Sequence, residues 1–415
     1  MNKLKNRVVV TGMGAMTSLG RTVDKLWDGI KQGKSKIGPM SLADPSDFPC
    51  RVAGEVQDFV PDDYMDRKEI LRMARFSQLA VAAASNAIKD SLLNLDKEDL
   101  TRVGVLLGTG NGAFPETELG ARTIIEKQRR LSPYFIPMIL PNMSTANISR
   151  RYGARGYTST VVTACAASNQ AMGEAAEVIR RGVADVIISG GAEAPISKLG
   201  LAGFCAMKAL TEQNEFPASA SRPFDKTRDG FVPAEGAGIV ILESLEHALA
   251  RNAPILAEIA GYGISSDAYH LVQPDAHGTG AAIAMDFALK SAGVAASDID
   301  VINAHATSTP LNDASETMAI KAVFGDLAYK IPVIATKSML GHALGASGAI
   351  EAIISIKMMQ DNILHPTINY THPDPECDLD YVPNEARKQN ISTVLSNSFG
   401  FGGQNASLVL KQYED

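Results

Sequence analysis

One run of the chain, Tyr157 to Gly191, restricts the possible folds more than any other: YTSTVVTACAASNQAMGEAAEVIRRGVADVIISGG. Ser159 to Val162 is β-branched and hydroxyl-rich and suits a buried strand. Small residues follow from Ala164 to Ser168. A helical pattern then sets Met172, Ala176 and Ile179 on one face, with Arg180 and Arg181 in the last turn and Gly182 as the stop. Val183 to Ile188 reads as a second buried strand. Strand, turn, helix and strand in that order belong to layered α/β architecture. Cys165 falls at the strand-to-helix turn, over a helix N-terminus. The dipole and free N–H groups there favour a thiolate, so a cysteine with a lowered pKa, reactive near neutrality, is expected. Flanking alanines leave room for a carbonyl, and the N–H of Cys165 can face a developing oxyanion. A buried structural cysteine fits the same segment, so the remainder of the chain has to decide.

Around this unit, Arg7 to Gly20 reads as a strand followed by a glycine-bearing turn, with Thr17 where a dinucleotide fingerprint needs its third glycine. Asp62 to Arg75 has helical spacing and carries Arg67, Lys68, Arg72 and Arg75, either a solvated face or a docking site for an acidic partner. Val103 to Gly112 is an apolar strand ending in glycines. Pro133 to Pro141 holds three prolines among large apolar side chains, which excludes a central strand or helix and predicts an apolar loop packed on another subunit. From Ile255 the pattern starts over, with ILAEIAGYG, DIDVINAHATST, TKSMLGHALGASGA before a helix at Ile350 to Met359, and STVLSNSFGFGGQNASLVLK. Two α/β units with mixed sheets are therefore expected, divided as 1–253 and 254–415.

A chain of 415 residues can bury two such cores. Its formal net charge of −7 argues against general nucleic-acid binding. No apolar run approaches the roughly 18 residues of a membrane span, and the run at Val8 to Val10 is too short for a signal peptide. Cys50, Cys165, Cys205 and Cys377 show no CxxC spacing, which suggests a reducing compartment without structural zinc. A cytoplasmic protein with no membrane segment is expected.

Four motifs stand in order: TACAASN at Cys165, NAHATST at His305, TKSMLGHALGASGAIEA spanning Lys337, His342 and Glu351, and SNSFGFGGQN, with RPFDKTRDGF and DAYH between them. Over essentially its whole length the chain resembles a β-ketoacyl-acyl carrier protein synthase, the type II elongating condensing enzyme of bacterial fatty acid synthesis, in the thiolase superfamily. The resemblance implies a thiolase-like fold, two pseudo-repeated α/β halves in a layered αβαβα core. It also implies decarboxylative Claisen condensation of an acyl-cysteine with malonyl-carrier protein. Cys165 would take the acyl group. His305 and His342 would hold the malonyl thioester carbonyl as neutral donors, and the N–H groups of Cys165 and Phe401 would form the oxyanion hole.

By the same resemblance Lys337 and Glu351 orient His342 or serve as a buried structural pair. Thr307 and Thr309 contact the phosphopantetheine arm, Phe204 and His270 contact substrate, and Phe401 gates the acyl pocket. Phe135 reaches the pocket of a partner in a homodimer. Arg67, Lys68, Arg72 and Lys208 dock the acidic carrier protein. No cofactor is required; a structural monovalent cation would sit at Asn303, Glu351, Ser396 and Asn397. Several positions depart from the family pattern. Asn111 stands where an apolar residue lines the acyl tunnel, Ala306 replaces a glycine, Gln404 a histidine or threonine, and Val272 a threonine beside His270. These bear on acyl specificity and motivate an alternative, a ketosynthase of a polyketide or polyene pathway. A degradative thiolase would need a second C-terminal cysteine, absent from GFGGQN, and a starter-type synthase would carry asparagine in place of His342.

Overall fold

The computed structural model describes residues 7–414. Ten strands form its main sheet: β1 (Val8–Met16), β2 (Val103–Gly108), β3 (Thr158–Val161), β4 (Val186–Glu193), β5 (Gly236–Ser244), β6 (Ala257–Ser266), β7 (Val301–Asn303), β8 (Val333–Ile334), β9 (Thr393–Gly400) and β10 (Gln404–Lys411). Their order across the sheet is β8-β7-β9-β10-β6-β1-β5-β4-β2-β3. The first five strands and the last five repeat one arrangement. In each set the first strand pairs antiparallel with the fifth, the fifth antiparallel with the fourth, and the fourth, second and third run parallel. Among the described residues the strands of the two sets pair only through β1 and β6, at Val9 opposite Glu258 and Val10 opposite Ala257.

Four helices complete the layers. α1 (Arg75–Asp90) covers β1 and β5 on one outside face, and α3 (Thr279–Ala292) covers β6 and β10 on the other. Between the two halves lie α2 (Ala167–Arg180) and α4 (Ser347–Asp361), each packed on strands of both sets and on each other. Twelve of the 15 residues of α4 are buried, including Ile350, Ile353, Ile354 and Ile356. A helix apolar on nearly every side has no amphipathic stripe and must be enclosed. This is the five-layer αβαβα core.

Local departures from the sequence reading have physical causes. Gly12 and Gly14 lie within β1 and make no turn, because α1 crosses the strand there. A Cβ on Gly14 would stand 2.0 Å from the carbonyl oxygen of Ala83. The segment after Asp62 forms only a single helical turn, Arg67–Ile70, before α1 starts afresh at Arg75. Arg75 leaves the surface to pair with the buried Glu235 at 2.6 Å. Pro133 to Pro141 is not all loop: Phe135–Ile139 is a short helix. Pro137 is its third residue, inside the first turn, where an N–H would have no intrahelical acceptor anyway. β3 is the outermost strand, bonded to β2 alone, and Val162 beyond it is 51% exposed instead of buried.

Candidate active site

The carboxyl ends of the parallel strands in both halves meet at one place, as expected for sites in α/β sheets. β3 leads into a one-turn 3-10 segment, Ala164–Ala166, and then into α2. Ala164 takes a left-handed φ of 48°, which turns Cys165 out of the strand. The β9–β10 hairpin closes over this turn, and Gly400 permits it: a Cβ there would lie 2.8 Å from the Thr163 carbonyl oxygen. The backbone N–H groups of Cys165 and Phe401 both face the Cys165 sulfur. They are placed to receive negative charge there or on an adjacent oxygen.

His342 precedes α4 as Cys165 precedes α2. Its Nε2 lies 3.0 Å from Cys165 Sγ, and its Nδ1 lies 3.1 Å from the Ser347 hydroxyl. His305 follows β7, with its ring 5.3 Å from that of His342 and edge-on to it. His305 Nδ1 is buried without a hydrogen-bond partner. Burial holds both imidazoles well below the usual histidine range, and the Lys337 ammonium pushes the same way. Both are therefore neutral at physiological pH.

The expectation of an acidic thiol is corrected by the geometry. Cys165 is 6% exposed, and burial pushes its thiol up to about 12 against the pull of Lys337 and of the two N–H groups. The helix end is real, but loss of hydration outweighs it. The resting cysteine is a thiol beside a neutral imidazole.

Behind the histidines Lys337 Nζ lies 2.5 Å from Glu351 Oε1, both side chains buried. Burial pushes the Glu351 carboxyl up to about 7, opposed by Lys337. Two buried carboxylates escaped the sequence reading. Glu316 accepts the N–H groups of His305 and Ala306, each at 2.8 Å. It thereby holds Ala306 at a φ of 41°, where glycine is usual. Glu193, closing β4, accepts N–H groups of Gly110, Asn111, Gly112 and Gly345. It ties the turn after β2 to the turn after His342. The signal was present in GGAE, a strand ending on a carboxylate, with nothing in sequence to show which amides it meets.

A cavity of about 560 Å³ opens onto Cys165, His305, His342 and Phe401. Thr307 and Thr309 line it with hydroxyls 2.9 Å apart, and His270 and Lys208 stand on its exposed side. Phe204 lies behind the wall, packed edge-on to Phe231 at 5.5 Å in the apolar cluster that includes Cys165. Asn111 does not line this cavity; it is half-buried, with its N–H on Glu193. Nor does Phe135, whose ring rests on Gly120 of its own chain. Arg67, Lys68 and Arg72 are exposed, Arg72 lying 4.5 Å over the Tyr134 ring. Asn303 Oδ1, Glu351 Oε2 and Ser396 Oγ are buried with no hydrogen-bond partner, whereas Asn397 Oδ1 accepts the Ser407 hydroxyl.

A buried cysteine flanked by two neutral histidines and two N–H groups, on a doubled α/β sheet, defines a condensing enzyme of the thiolase-like class. The β-ketoacyl synthase N-terminal domain matches residues 5–248 and the β-ketoacyl synthase C-terminal domain residues 256–371, and the chain belongs to that family. It is 47% identical over 414 residues to the 3-oxoacyl-[acyl-carrier-protein] synthase 2 of Synechocystis sp. (strain ATCC 27184 / PCC 6803 / Kazusa), covering 100% of each chain. Among solved structures it resembles the ishigamide ketosynthase/chain length factor, with TM-score 0.93, 37% identity and coverage of 98% and 99%. It also resembles a β-ketoacyl synthase from Burkholderia phymatum STM815, with TM-score 0.91, 36% identity and coverage of 98% and 100%.

Proposed function

We propose that the chain condenses an acyl group held on Cys165 with malonyl-acyl carrier protein, giving 3-oxoacyl-acyl carrier protein and carbon dioxide in fatty acid elongation. The observation that carries this reading is the 3.0 Å contact of Cys165 Sγ with His342 Nε2, in a cavity that His305 shares. His342 takes the thiol proton as Cys165 attacks the acyl thioester, and the carrier's thiolate leaves. Malonyl thioester then enters. His305 and His342, as neutral donors, stabilise the enolate formed on loss of carbon dioxide, and the N–H groups of Cys165 and Phe401 receive the oxyanion as the carbanion attacks. Phe401, on a hairpin with Gly402 and Gly403 at positive φ, is the gate to the acyl pocket.

Thr307 and Thr309 hold the phosphopantetheine arm of the carrier, and Lys208, Arg67, Lys68 and Arg72 receive its acidic surface. The orphaned oxygens of Asn303, Glu351 and Ser396 fit a hard monovalent cation, which Asn397 would complete; such an ion would neutralise buried carboxylate charge. A homodimer is supported by the open edge of β3, by exposed Val162, Ile136 and Leu140, and by the neighbouring Ile125. In it Phe135 would approach the partner's pocket. The halves 1–253 and 254–415 are proposed as the two units. Four free cysteines support a cytoplasmic setting, and among the described residues no helix is long and apolar enough to cross a membrane.

A polyketide or polyene ketosynthase is the second reading, favoured by the ishigamide neighbour at 37% identity, against 47% for the synthase 2 relative. The test is incubation with acyl-carrier substrates, followed by intact and peptide mass. The acyl mass should appear on the Cys165 peptide, disappear in Cys165→Ala, and be converted to 3-oxoacyl-carrier on addition of malonyl-carrier. Label on Cys205 or Cys377 would refute the assignment.

A further inference from the structure

The two histidines differ at the nitrogen facing away from the cavity. His305 Nδ1 has no partner, and His342 Nδ1 has the Ser347 hydroxyl at 3.1 Å. A buried N–H without an acceptor is costlier than a buried lone pair without a donor. His305 is therefore held with its proton on Nε2, as a permanent donor to the cavity. A hydroxyl both donates and accepts by rotating about its C–O bond. Ser347 satisfies His342 with the proton on either nitrogen.

The proposed reaction, on which this inference rests, asks opposite things of His342. During acylation Nε2 has to accept the Cys165 proton; during decarboxylation Nε2–H has to donate to the malonyl carbonyl. We propose that Ser347 is the positioning residue that lets His342 change tautomer between the two half-reactions. In the acylating state Nδ1–H donates to Ser347 Oγ and the Nε2 lone pair faces the thiol. The thiol proton stays on Nε2, and the carrier leaves as a thiolate that solvent protonates. In the decarboxylating state the Ser347 O–H donates to Nδ1 and Nε2 carries the proton.

The proton that reaches Nε2 is the one Cys165 gives up, while Nδ1 passes its own to Ser347 Oγ, which releases one to the water behind it. When condensation frees the Cys165 thiolate, Nε2–H returns its proton to sulfur and Nδ1 recovers one through Ser347. Over a turnover the only proton consumed is the one solvent gives the carrier thiolate. Ser347 lines a separate void of about 10 Å³, with Ser18, Lys337 and Glu351 also in its wall. That is room for about one water molecule among polar groups.

The experiment compares Ser347→Ala and Ser347→Thr, measuring self-acylation by intact mass and malonyl-carrier decarboxylation on pre-acylated enzyme. Without the hydroxyl, His342 resembles His305 and is fixed as a donor. Ser347→Ala should then slow acylation about 10- to 100-fold, as loss of a histidine's outer partner does, and spare decarboxylation. Ser347→Thr should restore acylation. Nitrogen-15 spectra of histidine-labelled protein, assigned by the resonance lost in His342→Asn, should show Nε2 passing from unprotonated to protonated when Cys165 is acylated. Equal loss of both half-reactions in Ser347→Ala, no loss of either, or one unchanged His342 tautomer in the wild type overturns the proposal. Wild-type condensation by His342→Ala would instead refute the underlying mechanism.

Discussion

Cys165 Sγ and His342 Nε2 stand 3.0 Å apart as a neutral pair, each at the entrance to one of the two enclosed helices. In the proposed reaction the thiol gives up its proton only when an acyl thioester is in place, which would protect the resting nucleophile from adventitious chemistry.

That state has a measurable signature. With its thiol pushed up to about 12, Cys165 should react with iodoacetamide at a rate that climbs through alkaline pH, about tenfold per pH unit, without levelling near neutrality. A plateau near pH 7 would mean a thiolate stabilised by the helix end, as the sequence alone implied.

The Lys337–Glu351 pair separates stability from chemistry. Lys337→Met leaves a buried carboxylate unpaired and should cost about 3–5 kcal/mol in denaturant unfolding. Lys337→Met with Glu351→Leu should recover most of that loss. If the double variant is stable yet still condenses at the wild-type rate, the pair is structural.

Asn111 lies outside the cavity at Cys165, on the turn held by Glu193, and chain-length selectivity tests whether its amide meets the bound acyl tail. An amide left unpaired against an alkyl chain costs on the order of 1–3 kcal/mol, about tenfold or more in selectivity. Asn111→Ile should shift the optimum among saturated acyl-carriers toward longer chains. Superimposable profiles would place the specificity elsewhere.

Charge reversal at Arg67 and Lys68 should raise the apparent KM for carrier-bound substrate and flatten its salt dependence. Unchanged kinetics at low salt would leave these residues as an ordinary solvated turn.

His247 gives stability a pH dependence far from the site. Its imidazole bonds Glu243 at 2.6 Å and Glu98 at 2.9 Å. The Glu243 bond raises its pKa, burial opposes this, and Glu98 adds to the rise. Being raised on folding, it contributes fully below its unfolded pKa of about 6.5 and is lost as pH rises through the folded value. The stability gap between wild type and His247→Gln, from urea unfolding, should shrink from about pH 6 upward. A gap that widens with pH would contradict the assignment.

Much of the fold was legible because it is written in local pattern. The strand–turn–helix at Cys165 and the restart at Ile255 follow from residue spacing, and both reappear in the sheet order. The position of Val162 was not legible, since a β-branched run suits an outer strand and an inner one equally. The ionisation of Cys165 escaped too: the turn and helix are sequence-local, whereas the burial that dominates comes from a cluster drawn from both halves, with Phe204 and Phe231 from the first and Leu344 and Phe401 from the second. Glu193 and Ser347 act through partners fixed only by three-dimensional closure. In each case the missing quantity was what lay opposite.

The two enclosed helices also set an order of events during synthesis. α2 is translated long before α4, at about 5–20 residues per second, so its second face waits on the order of ten seconds or more for a cover. For the first part of that interval, until Ala257–Ser266 is made, β1 also lacks β6, and the nascent first half carries both a bare apolar helix face and an open strand edge. The architecture that shields the finished active site thus makes the ribosome-bound chain a natural client for chaperones.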